Sequence, residues 1–178
     1  MRLPLQHRSE PKQDDRSRYC YKLLCWILVV AAIVSAEDTH AQHLLQVVPP
    51  GNLVLDGYRA ECFGSRTEII SAGAGGGYAW FNWDRSAVIL NDDDFRPLPT
   101  FLKLFVYAHE CGHRVYGPNE DTADCFAAKV GRQQGWFPHW SFPMIVRMFA
   151  NSPGDWTHRP GPARVHNIAA CHADPSPP

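Results

Sequence analysis

Sixteen residues near the middle of the chain constrain its fold more than any other stretch. His109-Glu110-Cys111-Gly112-His113 is followed closely by Asn119-Glu120-Asp121-Thr122-Ala123-Asp124. Two residues four apart on an α-helix lie about 40° apart around its axis, so both imidazoles leave one face. Paired neutral imidazoles at that spacing suit a tetrahedral zinc ion. Glu110, offset around the helix, reaches a water on such an ion without taking a coordination position. Glu120 offers a third ligand, and a catalytic zinc site has three protein ligands and one open position. Asp124 lies one turn beyond Glu120 on the same face. A carboxylate there accepts the free ring N–H of a ligand histidine and fixes its tautomer. The pattern therefore demands two helices within side-chain reach of one ion. The small residues Ala127, Ala128 and Gly131 on the same stripe would let the second helix come close. A bare HExxH also arises by chance on surface helices, so the second motif carries the weight. Asn119, Glu120 and Asp121 equally fit a helix start, as an N-cap followed by acids in the first turn. The two roles are compatible.

Together the motifs resemble those of the gluzincin metallopeptidases. In that clan HExxH supplies two ligands and the general base, and a Glu on a following helix, often within NExxSD or ExxAD, supplies the third. The resemblance implies a zinc-dependent endopeptidase with one Zn2+ on His109, His113 and Glu120, Glu110 as base, and Asp124 behind a ligand. Thr157-His158-Arg159-Pro160-Gly161-Pro162-Ala163-Arg164 is similar to the THP…R segment of the membrane gluzincins of the CAAX-processing and heat-shock types and of the minigluzincins. On that likeness His158 and Arg164 polarise the scissile carbonyl or hold the substrate. The likeness spans roughly residues 80–172 and departs from the pattern twice. The gap from His113 to Glu120 is short for the clan, with only Gly117 and Pro118 to turn the chain, so Asp121 and Asp124 stay open as alternative third ligands. Arg159 also separates His158 from Pro160. The metzincin pattern is not met, because no histidine lies between Val115 and Asn119.

In gluzincins the edge strand before the metal helix binds a peptide or protein substrate in extended form, adding a strand to the sheet. By resemblance Val88–Asn91 is the candidate edge. Two other functions share the motifs: a non-catalytic exported zinc-binding scaffold derived from a peptidase, and a zinc amidase acting on cell-wall peptides. Glu110 speaks against the scaffold, since a structural zinc needs no base and usually takes four protein ligands.

The N-terminal segment bears on the compartment. Arg16, Arg18 and Lys22 precede an uncharged apolar run from Leu23 to Val34. That run is shorter than the roughly 18–20 residues a spanning helix needs, and it ends in small residues. Residues 1–41 are expected to be a signal peptide cut after Ala36 or Ala41, with a signal anchor as the alternative. The domain is then exported, either periplasmic or secreted, or tethered to a membrane. Cys20 and Cys25 belong to this segment. Cys62, Cys111, Cys125 and Cys171 remain, an even number that suggests two disulfides in an exported domain. Four cysteines allow three pairings; Cys111 with Cys125 and Cys62 with Cys171 is the one leaned towards. Cys111 points about 200° away from the ligand face, and Cys125 lies well round its helix from Glu120, so neither is a metal ligand.

From Gln42 onward the chain has 11 Lys and Arg against 13 Asp and Glu, with no basic run. Nucleic acid is therefore not an expected partner. About 140 residues suffice for one domain with a core but not for two. Residues 42–172 are expected to form it, with a loose Pro-rich tail at 173–178.

Residues 53–63 and 67–71 read as short strands, Gly73–Gly77 as a flexible loop, and Tyr78–Trp83 with Ser86–Asn91 as a hairpin through Asp84-Arg85. The acidic triplet Asp92, Asp93 and Asp94 lacks the spacing of a calcium loop and reads as a solvated turn. Helices are expected from Pro97 or Pro99 through the first motif, from Asn119 to Gln134, from Phe142 to Ala150, and from Pro162 to Cys171. The Trp136–Trp140 aromatics read as packing before they read as a substrate pocket. The expected fold is α+β and zincin-like: a small antiparallel sheet beside a helical zinc-binding half.

Overall fold

The computed structural model describes residues 43–178. The signal or anchor segment, with Cys20 and Cys25, lies outside the described residues. The fold is α+β. Among the described residues six strands come first: β1 (His43–Val48), β2 (Leu53–Leu55), β3 (Tyr58–Ala60), β4 (Arg66–Ser71), β5 (Ala79–Asn82) and β6 (Ala87–Asn91). Five helices follow: α1 (Asp92–Phe95), α2 (Thr100–Tyr116), α3 (Glu120–Gln133), α4 (Phe142–Phe149) and α5 (Gly161–Ala173). Among the described residues no helix is long and apolar enough to cross a membrane.

The main sheet has the order β1-β4-β6-β5. It is mixed, not purely antiparallel as expected, because β4 and β6 run parallel. The β5–β6 hairpin forms as anticipated, but it is laid outside β4 so that β6 becomes the neighbour. This also corrects the expected edge: Val88–Asn91 is interior, buried at every position, and β5 is the edge strand. Alternation along β6 serves two faces. Val88 and Leu90 join Phe81 and the apolar side of α2 in the main core. Ala87 and Ile89 pack with Ile70 on the other face. Residues 53–63 form a hairpin, not one strand. Asp56 and Gly57 both adopt positive φ, the conformation a tight two-residue hairpin turn requires.

The acidic triplet opens a short helix and braces the glycine loop. Asp93 accepts from Ser71 Oγ at 2.7 Å and from the Gly73 amide at 2.9 Å, and Asp94 accepts from the Gly75 amide. Buried Asn91 donates to the carbonyls of Gly73 and Gly77. The loop that delivers the chain into β5 is thus pinned to the start of α1.

α2 runs through the core and buries nearly all of Phe101–His113. Its tightest approach to α3 is at Gly112, where a Cβ would come 2.8 Å from Ala123 Cα. Of the expected small stripe, Ala127 and Ala128 are fully buried, but Gly131 instead receives Phe137 and Trp136, whose atoms would meet a Cβ at 2.6–2.7 Å. Phe137 stacks among Phe101, Phe105 and Phe142, so this part of the aromatic cluster is core. Trp140 is exposed. The C-terminal tail carries hydrogen bonds: Lys129 reaches Asp174 and Ser176, and Arg132 donates to the His172 and Ser176 carbonyls.

The disulfides pair differently from the expected pattern. Cys62 joins Cys111, and Cys125 joins Cys171. Cys111 faces away from the ligand side of α2, towards the chain after β3, and Cys125 faces α5. The cysteines of α2 and α3 therefore point to opposite partners rather than to each other. Two such bonds point to an oxidising, exported compartment.

Candidate metal centre

The last three turns of α2 carry His109, Glu110 and His113, all buried. Gly117, at φ +81°, breaks the helix, and Pro118 leads into Asn119. The Asn119 side chain accepts from the Thr122 amide at 2.9 Å and caps α3. The three-residue link Gly117-Pro118-Asn119 therefore folds the chain back at once. Glu120, the first residue of α3, drops onto the histidine face of α2.

His109 Nε2 lies 3.1 Å from His113 Nε2 and 3.0 Å from Glu120 Oε2, and His113 Nε2 lies 3.4 Å from the same oxygen. The other ring nitrogens are engaged elsewhere. His109 Nδ1 bonds Asp124 Oδ1 at 2.8 Å, and His113 Nδ1 bonds the Gly117 carbonyl at 3.0 Å. With both Nδ1 atoms donating, loss of any Nε2 proton leaves both Nε2 lone pairs aimed inward. Three donor atoms then converge with spacings of 3.0–3.4 Å. Bonds of about 2.0–2.1 Å in a tetrahedron imply ligand spacings of about 3.3 Å, so the donor set fits a divalent ion such as zinc.

The same geometry separates the alternative third ligands. Both Asp124 oxygens are occupied, one by His109 and Arg164 Nη2, the other by Arg164 Nε. Asp121 pairs with Arg159. Glu120 alone of the three acids reaches both histidines.

His158 joins the cluster from the loop before α5. Its Nε2 stands 2.9 Å from Glu120 Oε2, and the ligand atoms of His109, Glu120 and His158 all lie within 4.8 Å of one another. Asp155 orients this side chain. Its carboxylate accepts from the amides of Thr157 and His158 and from Thr157 Oγ1, and that hydroxyl is the nearer partner of His158 Nδ1, at 2.7 Å against 3.3 Å for the carboxylate. Sequence inspection missed Asp155; the acid three residues before the histidine was its available signal. Arg164 does not enter the cluster. It is buried, forks onto Asp124 at 2.8 and 2.6 Å, and lies over the Phe149 ring. The structure therefore places Arg164 behind His109, two contacts removed from the converging donors.

Charges follow from this packing. Burial disfavours the His109 imidazolium, but the Asp124 and Glu120 carboxylates outweigh it and raise its pKa to about 10. Burial opposes ionisation of Glu120, yet bonds from His109 and His113 hold it well below the ordinary carboxylate range. Glu110 is raised by burial, against the pull of the two histidines and a hydrogen bond from the Phe81 amide. The cluster carries donors, a buried carboxyl beside them, and an opening to solvent. Two cavities of about 240 and 280 Å³ meet there, sharing Ala79, His109, Glu110 and His158. The first is bounded by the β5 edge and Trp83, and the second by Phe105, Val106, Met148 and Phe149.

Comparison of the chain with protein-family models, with curated proteins and with solved structures finds no match. The functional assignment rests on the geometry of the site.

Proposed function

We propose that the chain is an exported zinc-dependent endopeptidase of the gluzincin type. One observation carries this: a buried Glu110 adjoins three converging donors and opens onto a cavity beside a sheet edge. His109, His113 and Glu120 would hold the ion. A zinc ion there supplies Lewis acidity, lowering the pKa of water to about 7 and polarising a carbonyl.

The remaining work falls to the chain. Glu110 accepts the proton of the attacking water and returns it to the leaving amine; its raised pKa suits a group that must do both. His158, held by Asp155, donates towards the oxygen of the tetrahedral centre. The open edge of β5 takes the substrate as an added strand. Asn91 donates to the Tyr78 carbonyl at 3.0 Å, which fixes the alternation: Tyr78, Trp80 and Asn82 bond inward, and Ala79 and Phe81 turn their peptide groups outward. The second cavity, walled by Phe105, Val106, Met148 and Phe149 together with Ser152 and Arg164, takes a side chain next to the scissile bond.

The test compares the oxidised protein with Glu110→Gln. Both should carry one zinc, and the variant should lose about 10²- to 10⁴-fold in peptide cleavage. Zinc-loaded parent protein that cleaves nothing across a panel of unfolded proteins and peptides would overturn the proposal. One observation favours a second reading. His158 Nε2 sits close enough to act as a fourth protein ligand, which would close the site as in a structural zinc module.

A further inference from the structure

Each disulfide has one cysteine inside or directly after one of the two motifs. Cys111 lies between the ligands His109 and His113, and Cys125 directly follows Asp124. The two bonds differ in access. Cys62 and Cys111 are 0% and 2% exposed, whereas Cys125 and Cys171 are both only partly buried. Thiol–disulfide exchange needs a thiolate to reach one sulfur, so the second bond is the more accessible of the two.

The Cys125–Cys171 bond is also one rung of a ladder between α3 and α5. Arg164 forks onto Asp124, Asn167 Nδ2 donates to the Asp121 carbonyl at 2.9 Å, and Cys171 closes the ladder on Cys125. Asp124 has no solvent exposure, and its other bond orients His109. The α5 helix therefore sets the position of a ligand histidine through Arg164 and Asp124, and the disulfide fastens α5 in place.

We propose that Cys125–Cys171 is an exchangeable redox site that conditions the metal centre, an inference that rests on the metal-centre reading above. A dithiol attacks Cys171 Sγ, forming a mixed disulfide and releasing the Cys125 thiolate, which takes up a proton. The second thiol of the reagent resolves the mixed disulfide and frees Cys171. The reagent is oxidised to its disulfide, and the protein gains two electrons and two protons as two thiols. Freed from its tether, α5 loosens the Arg164 fork, and Asp124 no longer fixes the His109 ring. The ion is then gripped tightly only after the chain has reached an oxidising compartment, which keeps the centre weak before export.

The experiment uses the full chain. Oxidised protein is exposed to graded dithiothreitol, alkylated, freed of reagent, and examined by peptide mass spectrometry for modified cysteines. Zinc affinity is measured on the same samples by competition with a chromophoric chelator, with far-UV circular dichroism as a check on the fold. Cys125 and Cys171 should be alkylated at reductant levels that leave Cys62 and Cys111 protected. Affinity should fall about 10- to 100-fold, as for loss of a group that orients a ligand. The double variant Cys125→Ser, Cys171→Ser should show the weakened affinity with or without reductant. Unchanged affinity in the selectively alkylated protein or the double variant, or reduction of Cys62–Cys111 first, overturns the proposal. Oxidised protein that binds zinc but cleaves no peptide defeats the peptidase reading alone; oxidised protein that binds no divalent ion defeats both.

Discussion

His158 Nε2 stands 2.9 Å from Glu120 Oε2, the same oxygen that meets His109 and His113. A loop residue 38 positions beyond Glu120 thereby shares its carboxylate with both motif histidines. His158→Ala should keep the zinc content of the parent while kcat falls about 10²- to 10³-fold, the usual cost of removing one oxyanion donor. Zinc analysis beside steady-state kinetics checks this. A parallel loss of metal would make His158 a ligand and favour the closed-site reading.

The distance between α2 and α3 is set where a glycine faces an alanine. A Cβ on Gly112 would come 2.8 Å from Ala123 Cα, too close for either backbone to accept. Gly112→Ala should push α3 outward and carry Glu120 with it. We expect a loss of about 1–3 kcal/mol in stability, typical of overpacking, together with weaker zinc binding. Urea unfolding of the metal-free form and chelator competition measure the two effects, and wild-type values for both would show that the helices can part freely.

The site was more legible than the sheet. Spacing alone placed His109 and His113 on one face with Glu110 offset beside them, because helix geometry is local. Glu120 was named although its gap was short. The structure explains the short gap through Gly117 at positive φ and the Asn119 cap, both local signals. What stayed hidden was non-local. The sequence of β6 reads the same at an edge or in the interior, and only the path of the 72–78 loop decides that β5 lies outermost. Disulfide pairing depended in the same way on where α5 lies, and no residue near Cys125 announces that. Arg164 was singled out for a role at the substrate, yet its partner Asp124 lies 40 residues away, so its place behind His109 could not be read from its neighbours.

Arg164 and Asp124 form a buried pair, with side chains 11% and 0% exposed. Removing one partner strands the other's charge. Arg164→Leu should destabilise the metal-free protein by about 3–5 kcal/mol, the range for breaking a buried pair. Arg164→Lys should recover little, because an ammonium cannot reproduce the two-pronged contact. Thermal and urea unfolding decide this; a Lys variant as stable as the parent would reduce the fork to a simple charge effect.

Metal uptake should be coupled to protons. With its pKa raised from 6.5 to about 10, His109 is protonated in the metal-free protein at neutral pH and must deprotonate to bind an ion. The folded value lies above the unfolded one. The stability from pairing the imidazolium with Asp124 and Glu120 is therefore full below about 6.5 and is lost as pH rises through about 10. Apparent zinc affinity should accordingly rise with pH across this window, and metal-free stability should fall. Calorimetric titration in buffers of different ionisation enthalpy counts the released protons. No release at neutral pH would mean that His109 is already neutral there.

The β5 edge offers a test that separates substrate binding from chemistry. Ala79 turns its N–H outward from the β5–β6 ladder and lines both cavities. Proline is tolerated on an edge strand where the missing N–H faces away from the sheet. Ala79→Pro should therefore leave the β5–β6 ladder and the zinc content intact while deleting one substrate hydrogen bond. A bond worth about 1 kcal/mol corresponds to about a fivefold change, and it should appear as a higher KM with kcat little altered. The effect should vanish for substrates too short to lie along the strand. An unchanged KM for long peptides would remove the substrate from this edge, even if the metal chemistry stands.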